Sequence, residues 1–103
     1  MSLYGFTNHV FADESLAVSA AAIGFTPSYF QQAISQYGRV VKQVFVTIDT
    51  NAIRFRCDGI NPTDAEGHYM AAGDSIVLSG TQALNFKAIR VTNDAYARVS
   101  YEL

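Results

Sequence analysis

The feature that most constrains the fold is the alternation of apolar and polar residues through roughly the last 60 residues. Successive side chains of a strand point to opposite faces, so a period of two predicts half-buried strands. The pattern recurs in VVKQVFVTID, AIRFRC, SIVLSG, NFKAIRV and ARVSYEL. The predicted inward-facing residues include Val44, Val46, Ile48, Ile53, Phe55, Cys57, Ala97, Val99, Tyr101 and Leu103, with Arg98, Ser100 and Glu102 facing outward.

Turn residues separate these segments. They fall at Asp49-Thr50-Asn51, Asp58-Gly59, Gly73-Asp74, Gly80 and Asn93-Asp94. Six or seven short strands spaced by turns predict an all-β chain, an antiparallel β-sandwich of the Ig-like or jelly-roll-like kind. Such a sandwich has exposed strand edges, which are a liability for a monomer and favour assembly.

A short helical insert is predicted near residues 27–37. Thr26 suits the N-cap, Pro27 the first helical position, and Gly38 the position just past the end. The 3-4 spacing predicts one apolar face. That face comprises Phe30, Ala33, Ile34 and Tyr37.

The segment before the helix is predicted to be a strand, because apolar residues alternate with small ones in SLAVSAAAIGFT. The alternating residues are Leu16, Val18, Ala20 and Ala22. Residues 1–12 are aromatic and weakly patterned, and two interpretations stay open. They form either an arm that docks on a neighbouring subunit or an N-terminal edge strand of one β-sandwich domain spanning 13–103.

Composition narrows the range of functions. Half of the residues are hydrophobic and only 16% are charged, which suggests that other subunits cover part of the surface. Seven basic and nine acidic residues, without a basic block, argue against nucleic-acid binding. We expect no transmembrane helix and no secretory signal. The single cysteine excludes an internal disulfide and is consistent with assembly in a reducing cytoplasm.

The segment IRFRCDGINPTDAEGHYMAAGDS, residues 53–75, concentrates the reactive residue types. Cys57 is a candidate nucleophile if His9 or His68 acts as its base. It also shares the predicted inward face with Ile53 and Phe55, which favours a buried core thiol. The sequence therefore predicts a structural cysteine.

The acidic residues and the histidine of this segment lack the spacing of known metal sites. His68 has no second histidine beside it, as a cupin metal site would require, and is expected to be a loop histidine hydrogen-bonded to the backbone. Asp58, Asp64, Glu66 and Asp74 do not follow the alternating ligand pattern of an EF-hand loop. Asp58 and Asp74 are instead predicted to set turns through side-chain to backbone hydrogen bonds. The arginines on the strands could contact an acidic partner surface, but they are more often solvated or paired with acidic residues across strands. These are Arg54, Arg56, Arg90 and Arg98.

Short motifs follow one another in a fixed order through roughly the last 60 residues. They are Ile48-Asp49-Thr50, Ile53–Arg56, Asp58–Thr63, Gly67-His68, Gly73–Leu78, Phe86–Arg90 and Val99–Glu102. Their order and spacing resemble those of a group of small virion-associated proteins of tailed bacteriophages and prophages. Cys57 departs from that pattern, and the first 40 residues match it only loosely.

The resemblance implies a structural protein of a bacteriophage particle rather than an enzyme. We expect a homo-oligomeric capsid decoration (cement) protein or another head–tail accessory protein. It would be made in the bacterial cytoplasm and located in the virion, where it would bind itself and a major capsid or tail protein. Neither catalytic residues nor cofactors, metals, nucleic acids or membranes are expected to take part.

Candidate residues for this role fall into two sets. Aromatic residues are enriched in interface cores, and the interface candidates are Tyr4, Phe6, Phe11, Tyr29, Phe30 and Tyr37. The residues predicted to shape the loops are Asp58, Gly59, Pro62, Gly73 and Asp74. Two alternatives remain: a carbohydrate- or host-surface-binding module on a phage tail, and a small metal-dependent, cupin-like enzyme.

Overall fold

The structure, a computed structural model, describes residues 9–103, so the interface candidates Tyr4 and Phe6 lie outside the described residues. The described chain forms strands and two short helices. In chain order they are β1 (Val10–Val18), α1 (Pro27–Tyr37), β2 (Gln43–Thr50), β3 (Ile53–Arg56), β4 (His68–Met70), β5 (Ser75–Ser79), α2 (Gly80–Leu84), β6 (Lys87–Arg90) and β7 (Ala95–Glu102).

The strands form two antiparallel sheets, as the alternation predicts. The larger sheet has the order β1-β7-β2-β5, and the smaller one has the order β4-β3-β6. The turn between β2 and β3 contains Asn51 at φ 61° and passes the chain from one sheet to the other. The fold is therefore an all-β sandwich with a short helical insert.

One hydrophobic core lies between the sheets. Strand alternation places one face of each long strand inward, and the predicted inward residues of β2 and β7 are buried. The smaller sheet contributes Ile53, Phe55, Met70 and Ala88 to the same core. Because Glu102 faces opposite to Tyr101, alternation predicts an exposed carboxylate, but Glu102 is fully buried and accepts a hydrogen bond from Gln43 Nε2 at 3.0 Å.

The first strand differs from its prediction in position. β1 runs from Val10 to Val18, so residues 10–12 belong to an edge strand and Ala20 and Ala22 lie beyond its end. The following segment instead runs along β6, where Arg90 N–H donates to Ser19 O at 3.0 Å. Ile23 forms a β-bridge with Ala88. This change of sheet ends the strand despite the continuing alternation.

Helix α1 has the predicted bounds, with Gly38 in the left-handed conformation at its C-cap. Its buried face differs from the predicted one. Ala33 is buried and Phe30 half-buried, whereas Ile34 is 59% exposed and Tyr37 41% exposed. The helix packs on the sheet through its N-terminal half.

The start of α1 is held by a carboxylate from another strand. Thr26 occupies the predicted N-cap position, but its side chain accepts no hydrogen bond from the helix. Instead, Thr26 Oγ1 donates to Glu14 Oε2 at 2.6 Å and its N–H donates to Glu14 Oε1 at 3.3 Å. The Tyr101 hydroxyl also donates to Glu14 Oε1. One carboxylate on β1 thus joins α1 to β7.

Tyr101 is also the centre of an aromatic cluster. Its ring stacks on Tyr29 with centroids 4.8 Å apart and meets Phe30 and Phe25 edge-on at 5.6 and 6.1 Å. Phe25 in turn stacks on Phe86 at 4.2 Å. The cluster therefore connects α1 with the larger sheet and the sandwich interior.

The helix α2 follows β5 directly, where the sequence predicts only a turn at Gly80. Ser79 and Gln82 form a capping box in which each side chain accepts a hydrogen bond from the other residue's N–H. Gly80 packs so closely that a Cβ atom there would lie 2.0 Å from Val41 O. The Ser-x-x-Gln spacing of residues 79–82, typical of a capping box, is the sequence signal that could have predicted this helix.

The substitution Tyr101→Phe is expected to lower the free energy of unfolding by about 1–3 kcal/mol, because the Glu14 carboxylate loses a buried donor. Urea unfolding followed by circular dichroism measures the loss. Tyr96→Phe, on the exposed face of the same strand, is the matched control and should change stability little. Equal effects of the two substitutions would contradict this role for the hydroxyl.

The same pair of variants tests a pH dependence. Burial raises the pKa of the Tyr101 phenol, and its hydrogen bond to Glu14 raises it further. Unfolded tyrosine ionises near about pH 10. The contribution of the protonated phenol is therefore full below that pH and is lost above it, by up to about 1.4 kcal/mol per pH unit. Stability should fall more steeply above about pH 10 in the wild type than in Y101F.

Candidate functional site

The segment that concentrates the reactive residue types is a β-hairpin. β3 and β4 pair antiparallel, with Arg54 opposite Tyr69 and Phe55 opposite His68. The residues between the two strands, 57–67, form a long loop. The sequence segment is therefore one structural unit whose loop must be held by its own contacts.

Arg54 holds this loop against the outer face of the smaller sheet. Its Nε donates to Asp64 O and its Nη1 donates to Gly67 O, both at 3.1 Å. The guanidinium also lies over the Tyr69 ring, 5.4 Å from the centroid. Arg54 was predicted to be solvated or paired with an acidic residue, but it binds backbone carbonyls. Its contacts tie the second half of the loop to β3.

The first turn of the loop forms around Asp58. Asp58 Oδ1 accepts from Ile60 N–H at 3.2 Å, and Gly59 adopts φ 80°, a conformation that favours glycine. Arg56 donates to both Asp58 oxygens. The hydrogen bond from Arg56, and then that from Ile60, lower the pKa of the exposed Asp58 carboxyl. The aspartate therefore stays ionised and fixes the turn.

The rest of the loop is shaped by similar local contacts. Pro62 is buried, and Thr63 Oγ1 accepts from the N–H of Glu66 at 2.9 Å. Beyond β4, Asp74 Oδ2 accepts from Ala71 N–H at 2.8 Å, and Gly73 adopts φ 91°. Of the five predicted loop-shaping residues, three thus lie in the hairpin loop before β4 and two in the turn after β4.

An open cleft of about 430 Å³ lies between β4 and β5, the edge strands at one side of the sandwich. It contains both residues of the Cys57–His68 hypothesis. The lining residues are Phe55, Cys57, His68, Tyr69, Met70, Asp74, Ser75, Ile76, Leu78 and Gln82.

Cys57 is half-buried, which corrects the prediction of a buried core thiol. β3 ends at Arg56, so Cys57 lies past the strand and lines the cleft. Burial raises the pKa of the thiol, and the negative charge of Asp58 raises it further. Both effects keep the thiol protonated, the opposite of what a nucleophile needs.

The acidic and histidine candidates do not form a metal site within residues 9–103. No three His, Cys, Asp or Glu side chains of this range lie close enough to hold an ion. His68 is the first residue of β4, and its ring packs on Phe55 at 5.3 Å between centroids. The predicted loop histidine is thus a strand residue in contact with the core.

The other three arginines of the predicted strands are paired with aspartates, as expected. Arg56 pairs with Asp58, Arg90 with Asp94, and Arg98 with Asp49. Arg98 lies on the larger sheet and the other two on or beside the smaller one, so they form no common basic patch.

The interface candidates within the described range differ in exposure. Tyr29 and Phe30 are half-buried against Tyr101, and Phe11 packs against the core with its ring 5.6 Å from that of Tyr37. Tyr37 is the exposed member. Most of the surface of the other three side chains is therefore buried against residues of the same chain.

Sequence reasoning did not identify the exposed apolar side chains, because alternation does not show which outward residues remain uncovered. The large apolar residues exposed in the described range are Ile23, Ile34, Tyr37, Val40, Ile60, Tyr69, Val77, Leu84 and Tyr96. Of the two helices between residues 9 and 103, neither is long and apolar enough to cross a membrane.

Removing the Arg54 side chain should loosen the loop. Arg54→Ala is expected to cost about 0.5–1.5 kcal/mol of stability. It should also speed amide hydrogen exchange in residues 58–67. Arg98→Ala is the matched control, because its 3.6 Å pair with Asp49 is exposed and contributes at most about 1 kcal/mol. Unchanged exchange in 58–67 would show that other contacts hold the loop.

The environment of Cys57 predicts slow alkylation. At about pH 8, iodoacetamide should modify the folded protein several-fold more slowly than the urea-unfolded chain, because the raised pKa reduces the thiolate fraction. The midpoint of the rate–pH profile should also lie above that of the unfolded chain. A folded-state rate equal to or above the unfolded one would indicate an activated thiol.

The hairpin, its loop and the adjacent cleft are the part of the described chain richest in polar contacts. Their polar side chains mainly shape and anchor the loop, and the cleft holds a protonated thiol beside an aromatic-packed histidine. No protein-family model, curated protein or solved structure matches the chain.

Proposed function

We propose that the chain is a small homo-oligomeric structural protein of a bacteriophage particle, a capsid decoration protein or another head–tail accessory protein. It acts by binding copies of itself and a major capsid or tail protein. The observation that carries the proposal is the number of large apolar side chains exposed on a domain with few charges. Exposed apolar surface of this kind is typical of interaction sites.

Three of the nine exposed residues of the described range lie close together in sequence where the chain leaves α1. Ile34, Tyr37 and Val40 are 59%, 41% and 72% exposed within a seven-residue stretch. Burying such side chains stabilises an assembly by about 25 cal/mol per Å² of apolar area removed from water. The resemblance of the motifs between Ile48 and Glu102 to virion-associated proteins supports the choice of a phage particle as the partner.

The arrangement of exposed tyrosines gives less support to glycan binding, the alternative function. Tyr69 and Tyr96 lie on the outer faces of opposite sheets, and Tyr37 lies on α1. A carbohydrate platform needs neighbouring aromatic rings on one surface. The described tyrosines do not provide that arrangement, so subunit binding is the better-supported function.

The proposal predicts that the first residues of the chain contribute to assembly. Because β1 begins at Val10, deleting residues 2–8 removes the segment with Leu3, Tyr4 and Phe6 and leaves the strand intact. The deletion should weaken binding to particles that lack this protein, measured by co-sedimentation. A variant with residues 2–8 replaced by an equally long Gly/Ser sequence controls for chain length and should bind as weakly as the deletion.

Three results would count against the proposal or its parts. Unchanged binding of the deletion variant would remove the first residues from the interface. Failure of the full chain to bind any part of the particle would overturn the virion role. Specific binding of the isolated protein to glycans, without particle binding, would favour the alternative.

A further inference from the structure

We infer that β5 is a self-association surface, through which two copies of the chain pair antiparallel across a two-fold axis at Val77. The inference deepens the homo-oligomer part of the proposed function and rests on it. It names the partner as a second copy and places the contact at one strand edge. The axis would join two four-stranded sheets into one continuous sheet.

The four sheet edges of the described chain differ in how they are protected. Edge strands in native proteins are commonly blocked by charges, bulges, short length or a covering segment. β1 carries Asp13 and Glu14 and a register shift between Val10 and Ala12. β6 is covered by the segment from Ser19 to Ile23. β4 has only three residues.

β5 has none of these protections within residues 9–103. It has five residues without charge or proline, its pairing with β2 has no register shift, and no described strand lies on its other side. Val77, at its centre, is 51% exposed. An uncharged apolar edge of this kind is a template for pairing with another strand.

The backbone of β5 presents its free hydrogen-bonding groups at Val77. Gly80 N–H donates to Lys42 O, and Ile48 N–H donates to Asp74 O, both at 2.9 Å. Even-numbered positions therefore face β2, and the alternation of antiparallel ladders directs the N–H and C=O groups of odd-numbered positions outward. Consistent with this, Ser79 N–H bonds to Gln82 Oε1 rather than to β2. The free ladder is thus short and centred on Val77.

The sequence of β5, Ser-Ile-Val-Leu-Ser, is self-complementary about Val77. In antiparallel pairing across a two-fold axis, Val77 meets Val77 of the second copy. Ile76 then meets Leu78, and Ser75 meets Ser79. Each position thus meets a residue of its own class, as an isologous interface requires.

Charge supports a second copy as the occupant. Residues near a two-fold axis meet their own copies, so any charge there would face a like charge. The stretch from Ser75 to Phe86 contains no Asp, Glu, Lys, Arg or His, although the chain is 16% charged. A partner recognised by charge would find no complementary group along this edge.

The short ladder limits the strength of the dimer. Stable interfaces usually bury about 1,200 Å² or more in total, and a five-residue edge buries less by itself. Val77 and Leu84, which is 65% exposed, are the apolar side chains that can extend the contact. The structure therefore predicts a reversible, concentration-dependent dimer.

Charge pairs placed at the axis test this geometry. In Val77→Lys and in Val77→Glu, each homodimer would place like charges directly opposite each other, at about 5.5 Å between Cα atoms. Each variant of the full chain should raise the dimer dissociation constant about ten-fold or more in sedimentation equilibrium. An equimolar mixture of the two should recover dimerisation, and native mass spectrometry should identify the species as the mixed dimer.

The matched control is Ile60→Lys, the same kind of apolar-to-charged change at a similarly exposed position in the hairpin loop, outside β5. It should leave the dimer unchanged. Because an unfolded variant cannot recover in a mixture, the mixed dimer separates loss of pairing from loss of folding. Circular dichroism of each variant adds a direct check of folding.

The outcomes separate this inference from the proposed function. Wild-type self-association that survives in both Val77 variants, or variants that stay monomeric when mixed, would overturn pairing at β5. Particle binding measured on the same proteins would still decide the virion role. A wild-type chain that stays monomeric at all concentrations would overturn self-association in solution, whatever the particle assay shows.

Discussion

The contact on which the rest of the structure depends is that between Tyr101 and Glu14. Tyr101 is fully buried on β7, and its hydroxyl donates a hydrogen bond to the Glu14 carboxylate on β1. The same carboxylate accepts a hydrogen bond from Thr26 Oγ1. The ring packs against two rings of α1 and against Phe25. A single residue thus joins the edge strand, the helical insert and the core, and burial of its polar group is possible because the acceptor is charged and shared.

The loop of the β3–β4 hairpin is held mainly by hydrogen bonds rather than by packing of apolar side chains. The loop has little apolar surface, so backbone carbonyls bonded to Arg54 and side-chain caps at Asp58 and Thr63 hold it in place. Local hydrogen bonds of this kind satisfy backbone groups that no sheet partner reaches. The crowding of reactive residue types in this segment therefore has a structural explanation.

The sequence predicts those parts of the fold that arise from local rules. A period of two identifies β2, β3, β5, β6 and β7 but not the three-residue β4, and proline and glycine mark the bounds of α1. Sequence-based prediction fails where contacts between distant residues determine the local structure. The Thr26 hydroxyl, for example, donates to Glu14, twelve residues away, instead of capping α1. Likewise, alternation predicts that Glu102 faces outward and is exposed, but contacts with other parts of the chain bury it. The prediction places Cys57 in the core because it extends β3 by one residue. The end of β3 depends on its pairing with β6, which the sequence of β3 alone does not show.

The sheet edges differ in how well they are protected against pairing, because the chain packs over some of them and not over others. The segment after β1 leaves its own sheet and covers β6, and β1 itself is shielded by acidic residues and a bulge. These features reduce pairing at two edges, and the short length of β4 limits it at a third, without affecting β5. Since outward ladder groups and a half-exposed valine remain at β5, residues 9–103 leave one sheet edge at which pairing could extend the sheet. Assembly through that edge would use backbone groups already aligned by folding, so ordering it would cost little conformational entropy.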